Sequence, residues 1–102
     1  MTVNVISKRG LGQQAKALKV DESAAAELNI WYRVARQAAW TNLAAVRTDF
    51  PSADQVGHVL VFNIRHNRYR LIVRSSFPIQ KLYVKALMTH KEYEREEWKK
   101  WA

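Results

Sequence analysis

The chain has 102 residues, with 17 Lys+Arg against 9 Asp+Glu, three His and no Cys. That length suits one domain with a modest core, and 48% hydrophobic beside 25% charged residues describes a folded globular chain rather than a disordered one. Without cysteine there is no disulfide framework, thiolate nucleophile or Cys-containing zinc site, and the chain suits a reducing compartment. No window approaches the ~18 apolar residues of a membrane span, and the segment Met1–Ile6 is not the apolar core of a signal peptide. The expectation is a cytoplasmic protein with no membrane role, whose net charge of +8 seeks a polyanion.

Thr2 to Ser7 reads as a short strand and Lys8 to Leu18 as a helix weakened at its start by Gly10 and Gly12. Asp21 or Ser23 can cap a longer helix to about Ala39, with Leu28, Trp31, Tyr32, Ala35, Ala38 and Ala39 on its apolar face. Thr41 or Asn42 can cap a further short helix, Leu43 to Thr48, which Pro51 prevents from continuing. Phe50 to Gly57 reads as a loop. His58–Ile64 and Tyr69–Val73 are rich in β-branched and aromatic residues and flank a hairpin turn, Arg65-His66-Asn67, in which Asn67 best tolerates positive φ. Ser75-Ser76-Phe77-Pro78 turns the chain into a third strand, Lys81–Leu87. Helices come early and strands late, so the fold class is α+β, with an antiparallel meander and a C-terminal helix.

Between His58 and Lys91 there are seven cations, Arg65, Arg68, Arg70, Arg74, Lys81, Lys85 and Lys91, and no Asp or Glu in 34 residues. A solvated surface normally mixes the two signs. Alternation places Tyr69, Leu71 and Val73 on one face of the middle strand and Leu82, Val84 and Ala86 on one face of the next, which puts these aliphatic sets against the helices. Arg68, Arg70, Arg74, Lys81, Tyr83 and Lys85 then share an open sheet face. Like charges so arranged repel, and a bound polyanion relieves that repulsion.

Thr89-His90-Lys91-Glu92 has the form of a capping box, with Thr89 as N-cap of the last helix. His90 and Lys91 then stand where backbone N–H groups and the helix dipole favour an anion. Neutral imidazole at His90 can serve as a base near pH 7, and Tyr93 lies one turn on, able to pass a proton or stack on a base. Glu92 with Arg95 and Glu96 with Lys100 are spaced to pair along that helix. His58 reads as structural and Trp31, Trp40, Trp98 and Trp101 as core or interface residues. The histidines show no zinc spacing, and with three glycines there is no phosphate loop or dinucleotide fingerprint, so neither metal nor cofactor is expected.

In order along the chain, Asn4-Val5-Ile6-Ser7-Lys8, Trp31-Tyr32-Arg33, Val61-Phe62-Asn63-Ile64 with Asn67, Tyr69-Arg70-Leu71-Ile72-Val73 and Thr89-His90-Lys91-Glu92-Tyr93 form a recognisable set. This set resembles the HigB-type toxins of bacterial toxin–antitoxin systems, a branch of the RelE-like mRNA interferase superfamily. The resemblance implies a compact α+β endoribonuclease that cuts mRNA, typically on the ribosome. It implies silencing by a cognate antitoxin, often a HigA-like helix-turn-helix protein, and contact with operator DNA only through the antitoxin complex. By the same resemblance Arg70, His90 and Tyr93 are the catalytic candidates. Arg70 is assigned to the scissile phosphate, His90 to base or acid, and Tyr93 to proton transfer or stacking. Arg65, Arg68, Arg74, Lys81, Lys85 and Lys91 are the RNA-binding candidates. His66, in a hairpin that departs from the glycine-containing turn common among relatives, is a further candidate. A non-catalytic RNA- or ribosome-binding module would use the same basic sheet without turnover.

Overall fold

The computed structural model describes residues 4–6, 16, 20–65, 68–79 and 81–102. Strand β1 (Asn4–Ile6) is followed by helices α1 (Glu22–Gln37) and α2 (Leu43–Asp49), then β2 (Asp54–Val56), β3 (Val59–Ile64), β4 (Tyr69–Ser76), β5 (Lys81–Thr89) and the short helix α3 (His90–Glu94). The five strands form one sheet in the order β1-β5-β4-β3-β2. The β2 to β5 run is an antiparallel meander, and β1 joins it parallel to β5 through Val5 opposite Leu82. The architecture is the expected α+β. The helix expected over Lys8–Leu18 lies outside the described residues except for Lys16, as do His66 and Asn67 of the hairpin.

Of the alternative caps, Asp21 holds the start of α1 by accepting from the Ala24 amide at 2.8 Å, and Asn42 holds α2 by accepting from Ala45 at 2.9 Å. Each satisfies an amide that the helix geometry leaves without a partner. Helix α1 stops at Gln37, two residues short of the expected end. Ala38 leaves the helical conformation, Ala39 is exposed, and Trp40 is buried in its stead. Ala24, Leu28, Trp31 and Ala35 of α1 pack on Leu60, Phe62, Ile64, Leu71, Val73, Leu82 and Leu87 of the sheet. Phe62 is the hub of this layer, with Trp31, Trp40 and Phe50 ring centroids 5.4, 6.1 and 5.3 Å away.

Four readings change. The segment expected to be a loop contains β2, a three-residue edge strand whose side chains are all exposed, so it carries no apolar signal. Strand β4 runs on through Ser75 and Ser76, and the turn is a 3-10 turn over Phe77–Ile79. On β5 the register slips: Ile72 faces Ala86 and Val73 faces Val84, leaving Lys85 without an opposite residue. This bulge resets the alternation, so Leu87 rather than Ala86 joins the helix-side core. The second sheet face is also not open. Val59, Val61 and Ile72 form a further apolar cluster with Trp98, against which Met88, Tyr93 and Trp101 pack.

Phe62 carries the aromatic hub, so Phe62→Ala is expected to lower stability by about 3–5 kcal/mol and Phe62→Leu by less than half of that. Urea titration of the two variants checks it.

Candidate active site

Three candidate residues meet at the junction of β4, β5 and α3. Register sets Arg70 beside Met88, two residues before His90 begins α3. Thr89 accepts from the Glu92 amide at 3.2 Å while Glu92 accepts from the Thr89 amide at 3.2 Å, so the expected capping box is complete. The His90 amide donates to the Arg68 carbonyl at 3.1 Å, which ties the start of the helix to the residue before β4. Two amides of the first turn, those of His90 and Glu92, are therefore committed within the chain.

Arg70 points to the face opposite α1 and is 7% exposed. Its guanidinium donates to the Tyr69 carbonyl at 3.2 Å and lies 3.3 Å from Nδ1 of His90 and 5.2 Å from the centre of the Tyr93 ring. On its other nitrogen, His90 Nε2 lies 2.9 Å from the Glu94 carboxylate, one helical turn away. Because the guanidinium has donors only, the contact fits the tautomer in which Nδ1 accepts and Nε2–H donates to Glu94. The result is a directed chain, Arg70 to His90 to Glu94. The Tyr93 ring stacks on Trp98, with centroids 5.0 Å apart and planes 6° apart. Its ring is thus engaged by Trp98 and Arg70 of this chain.

A family model for HigB_toxin, described as the RelE-like toxic component of a toxin–antitoxin system, matches residues 24–96. That span takes in every described strand after β1, α1 from Ala24 on, α2 and the whole Arg70–His90–Tyr93 cluster. The chain belongs to the HigB toxin family. It is also 36% identical over 53 residues to the mRNA interferase toxin HigB of Escherichia coli K12, over 49% of this chain and 51% of that protein. The mRNA interferase HigB proteins of Escherichia coli O157:H7 and Shigella flexneri match to the same extent. The chain thus spans about half the length of the curated relatives it matches.

In this family member the other cations do not form one patch. Arg74 shares the face of Arg70, with Tyr83 and Lys81 in the neighbouring register positions. Arg74 donates to the Trp101 carbonyl at 2.8 Å, under the C-terminal segment. Lys85, at the bulge, and Lys91, on α3, are exposed. Arg68 is drawn away by an ion pair of 3.2 Å with Asp21, the cap of α1, so it leaves the face predicted for it. Arg65 adopts the left-handed conformation, with its backbone N–H donated to Glu27 of α1 and its side-chain Nε buried with no hydrogen-bond partner among the described residues. His66 lies outside the described residues. A cavity of about 480 Å³ between α1, the Phe50–Ala53 segment and β3 sits over the opposite sheet face. Glu27 and Asp49 line it and no cation does among the described lining residues, so it does not suit RNA.

Two residues escaped sequence reasoning. Glu94 has no functional assignment in the sequence reading, although a His–Glu pair at i,i+4 is present there. Trp98 is core, as expected, at 3% exposure; what escapes the sequence is its stack on Tyr93. The helical pairs expected of Glu92 with Arg95 and Glu96 with Lys100 do not form. Helix α3 ends at Glu94, and Glu96, at φ 61°, pairs instead with Lys99 at 2.9 Å. Among the described residues no three His, Cys, Asp or Glu side chains gather to hold a metal ion, and no helix is long and apolar enough to cross a membrane.

Helix α3 has no buried residue of its own, so its N-cap carries much of its order. Thr89→Ala is expected to cost about 1 kcal/mol locally. Hydrogen exchange should show the Arg95 and Glu96 amides exchanging faster, with the β3 and β4 amides little changed.

Proposed function

We propose that the chain is an mRNA interferase: a metal-independent endoribonuclease, acting in the bacterial cytoplasm on mRNA at the ribosome and held silent by a cognate antitoxin. The observation that carries this reading is the meeting of Arg70, His90 and Tyr93 in one contact group. The relatives' printed names, mRNA interferase HigB, agree with it. A HigA-like helix-turn-helix antitoxin, with operator DNA touched only through the complex, belongs to the same reading.

In this mechanism Arg70 takes the scissile phosphate. A planar guanidinium matches two phosphate oxygens and offsets the charge that builds on them. Once those oxygens take over its N–H groups, Nδ1 of His90 is released as a base. The ribose 2′-OH gives its proton to Nδ1, and the 2′-oxygen attacks the adjacent phosphorus. The bond to the 5′-oxygen breaks as that oxygen takes the proton of the Tyr93 hydroxyl. The products are a 2′,3′-cyclic phosphate and a 5′-OH, and solvent then takes the proton of His90 and returns one to Tyr93. The arrangement of imidazole between a carboxylate and the reacting proton follows the logic of the serine-protease triad, with Glu94 as orienting group. Such acid–base assistance contributes roughly 10²–10⁴-fold. Arg74, Lys81, Lys85 and Lys91 guide the RNA backbone, and Arg65 and Arg68 reach it only at its margin.

The test is cleavage of a defined mRNA in EDTA, with and without programmed ribosomes, by wild type, Arg70→Ala and His90→Ala. Discrete new 5′ ends from wild type, reduced roughly 10²-fold or more in both variants while binding holds within a few-fold, are expected. Cuts by Arg70→Ala at the wild-type rate would remove the phosphate assignment. Binding without any cleavage by folded wild type would make the protein a non-catalytic RNA- or ribosome-binding module. Binding to single-stranded RNA is further expected to weaken with salt at a log–log slope near −3.5, from about five phosphates neutralised.

A further inference from the structure

The C-terminal segment after α3 does more than close the sheet. Immediately after α3 the chain reverses through Glu96, whose left-handed conformation (φ 61°, ψ 14°) is unusual for a residue with a side chain. The reversal feeds a 3-10 turn over Glu97–Trp101 and returns the Trp98 indole to the sheet. There Trp98 is 3% exposed and packs on Val59, Val61 and Ile72. Its Nε1–H donates to the Tyr93 carbonyl at 3.0 Å, and its ring stacks on the Tyr93 ring. One side chain therefore grips Tyr93 by both backbone and ring, and Tyr93 in turn lies against Arg70. Helix α3 buries nothing of its own, so Trp98 is its packed link to the core on the C-terminal side.

We infer that Trp98 is a positioning residue of the Arg70–His90–Tyr93 site, acting by stacking to hold Tyr93 over Arg70. This rests on the reading of those three residues as the reacting group. Any large apolar side chain at 98 fills the space over Ile72, but an aromatic one alone supplies the stack. The stack therefore separates positioning from plain core packing. Misplacing a reacting group by about 1 Å can cost 10²-fold in rate, so loss of the stack reads out in kcat, with KM for RNA little changed.

The experiment compares Trp98→Phe, which keeps a ring, with Trp98→Leu, which keeps an apolar filler, using the RNA or programmed ribosome that wild type cuts. Val61→Ala serves as a control that weakens the same cluster while keeping the indole that stacks on Tyr93. Trp98→Phe is expected to retain kcat within about threefold and Trp98→Leu to lose roughly 10- to 100-fold, with Val61→Ala close to wild type. Proton NMR of the Tyr93 ring gives a readout independent of cleavage: its resonances, displaced by the indole ring current, should return toward their free position in Trp98→Leu. Equal kcat in the Phe and Leu variants, or an equal loss in Val61→Ala, would overturn the inference. An unmoved Tyr93 resonance in Trp98→Leu would do the same. Arg70→Ala in the same series separates the two failures. If it cuts like wild type, the catalytic reading of the site falls; if it is inactive while the Trp98 variants are unaffected, only the positioning role falls.

Discussion

Ile72 stands between Arg70 and Arg74 on a strand face where its neighbours are charged, and the second half of the structure is arranged around covering it. Strand β4 is central, so Leu71 and Val73 on its other face are already buried by the helices. Ile72 must be covered from the opposite side, and Val59 and Val61 on β3 share the same need. The two flanking arginines forbid an ordinary amphipathic helix lying flat on that face. What covers it is a narrow aromatic tail in which Trp98 reaches the aliphatic patch while Tyr93 and the Trp101 carbonyl deal with Arg70 and Arg74 on either side. Burial of one aliphatic residue and accommodation of two cations are solved by the same dozen residues.

This arrangement gives the candidate site its character. A guanidinium that is 7% exposed loses most of its hydration, and the cost is offset by a carbonyl, an imidazole nitrogen and an aromatic face. Its position is fixed by the rigid core of the sheet. His90 and Tyr93 sit on a five-residue helix held by a capping box at one end and an indole at the other. Arg70 is thus held by the sheet, and His90 and Tyr93 are hung beside it on short supports. Glu94 orients His90 from an exposed position, where the contact adds little stability but favours the tautomer with the proton on Nε2.

Much of this was legible in the chain. Asp21 or Ser23, and Thr41 or Asn42, announced the two helices, Thr89 and Glu92 announced the last, and the β-branched runs at 58–64 and 69–73 lay within a residue or a few of the strands. Given an antiparallel β4–β5 pair, the nearness of Arg70 to His90 follows from counting. The failures have specific causes. A bulge at Lys85 is invisible to a period of two, so Ala86 and Leu87 exchanged faces. Strand β2 is an exposed edge of three residues, made by pairing with β3 rather than by its own composition. Arg68 left its predicted face because an aspartate distant in sequence caps the neighbouring helix. The covered second face was missed because Trp98 and Trp101 sit among Glu and Lys, where a charged helix is the natural reading. Two tryptophans three residues apart in such a tail were the available signal, since an indole is seldom left in water.

The same facts bear on how RNA would reach Arg70 under the proposed function. The guanidinium is closed in by Tyr93 and His90, so a phosphate must displace part of what now contacts it. The ring contact and the long 3.3 Å bond to Nδ1 are the weak members of that set, each worth about 1 kcal/mol. Charge-assisted bonds to a phosphate are stronger than either. Exchange therefore favours the substrate without requiring the Trp98 anchor to move, because that anchor is fastened to β3 and β4 and not to Arg70. The released imidazole keeps its bond to Glu94 and turns its lone pair toward the newly arrived phosphodiester. In this way arrival of the substrate and exposure of the base become one event, and a base masked until a phosphate is bound is a physical means of confining the chemistry to RNA.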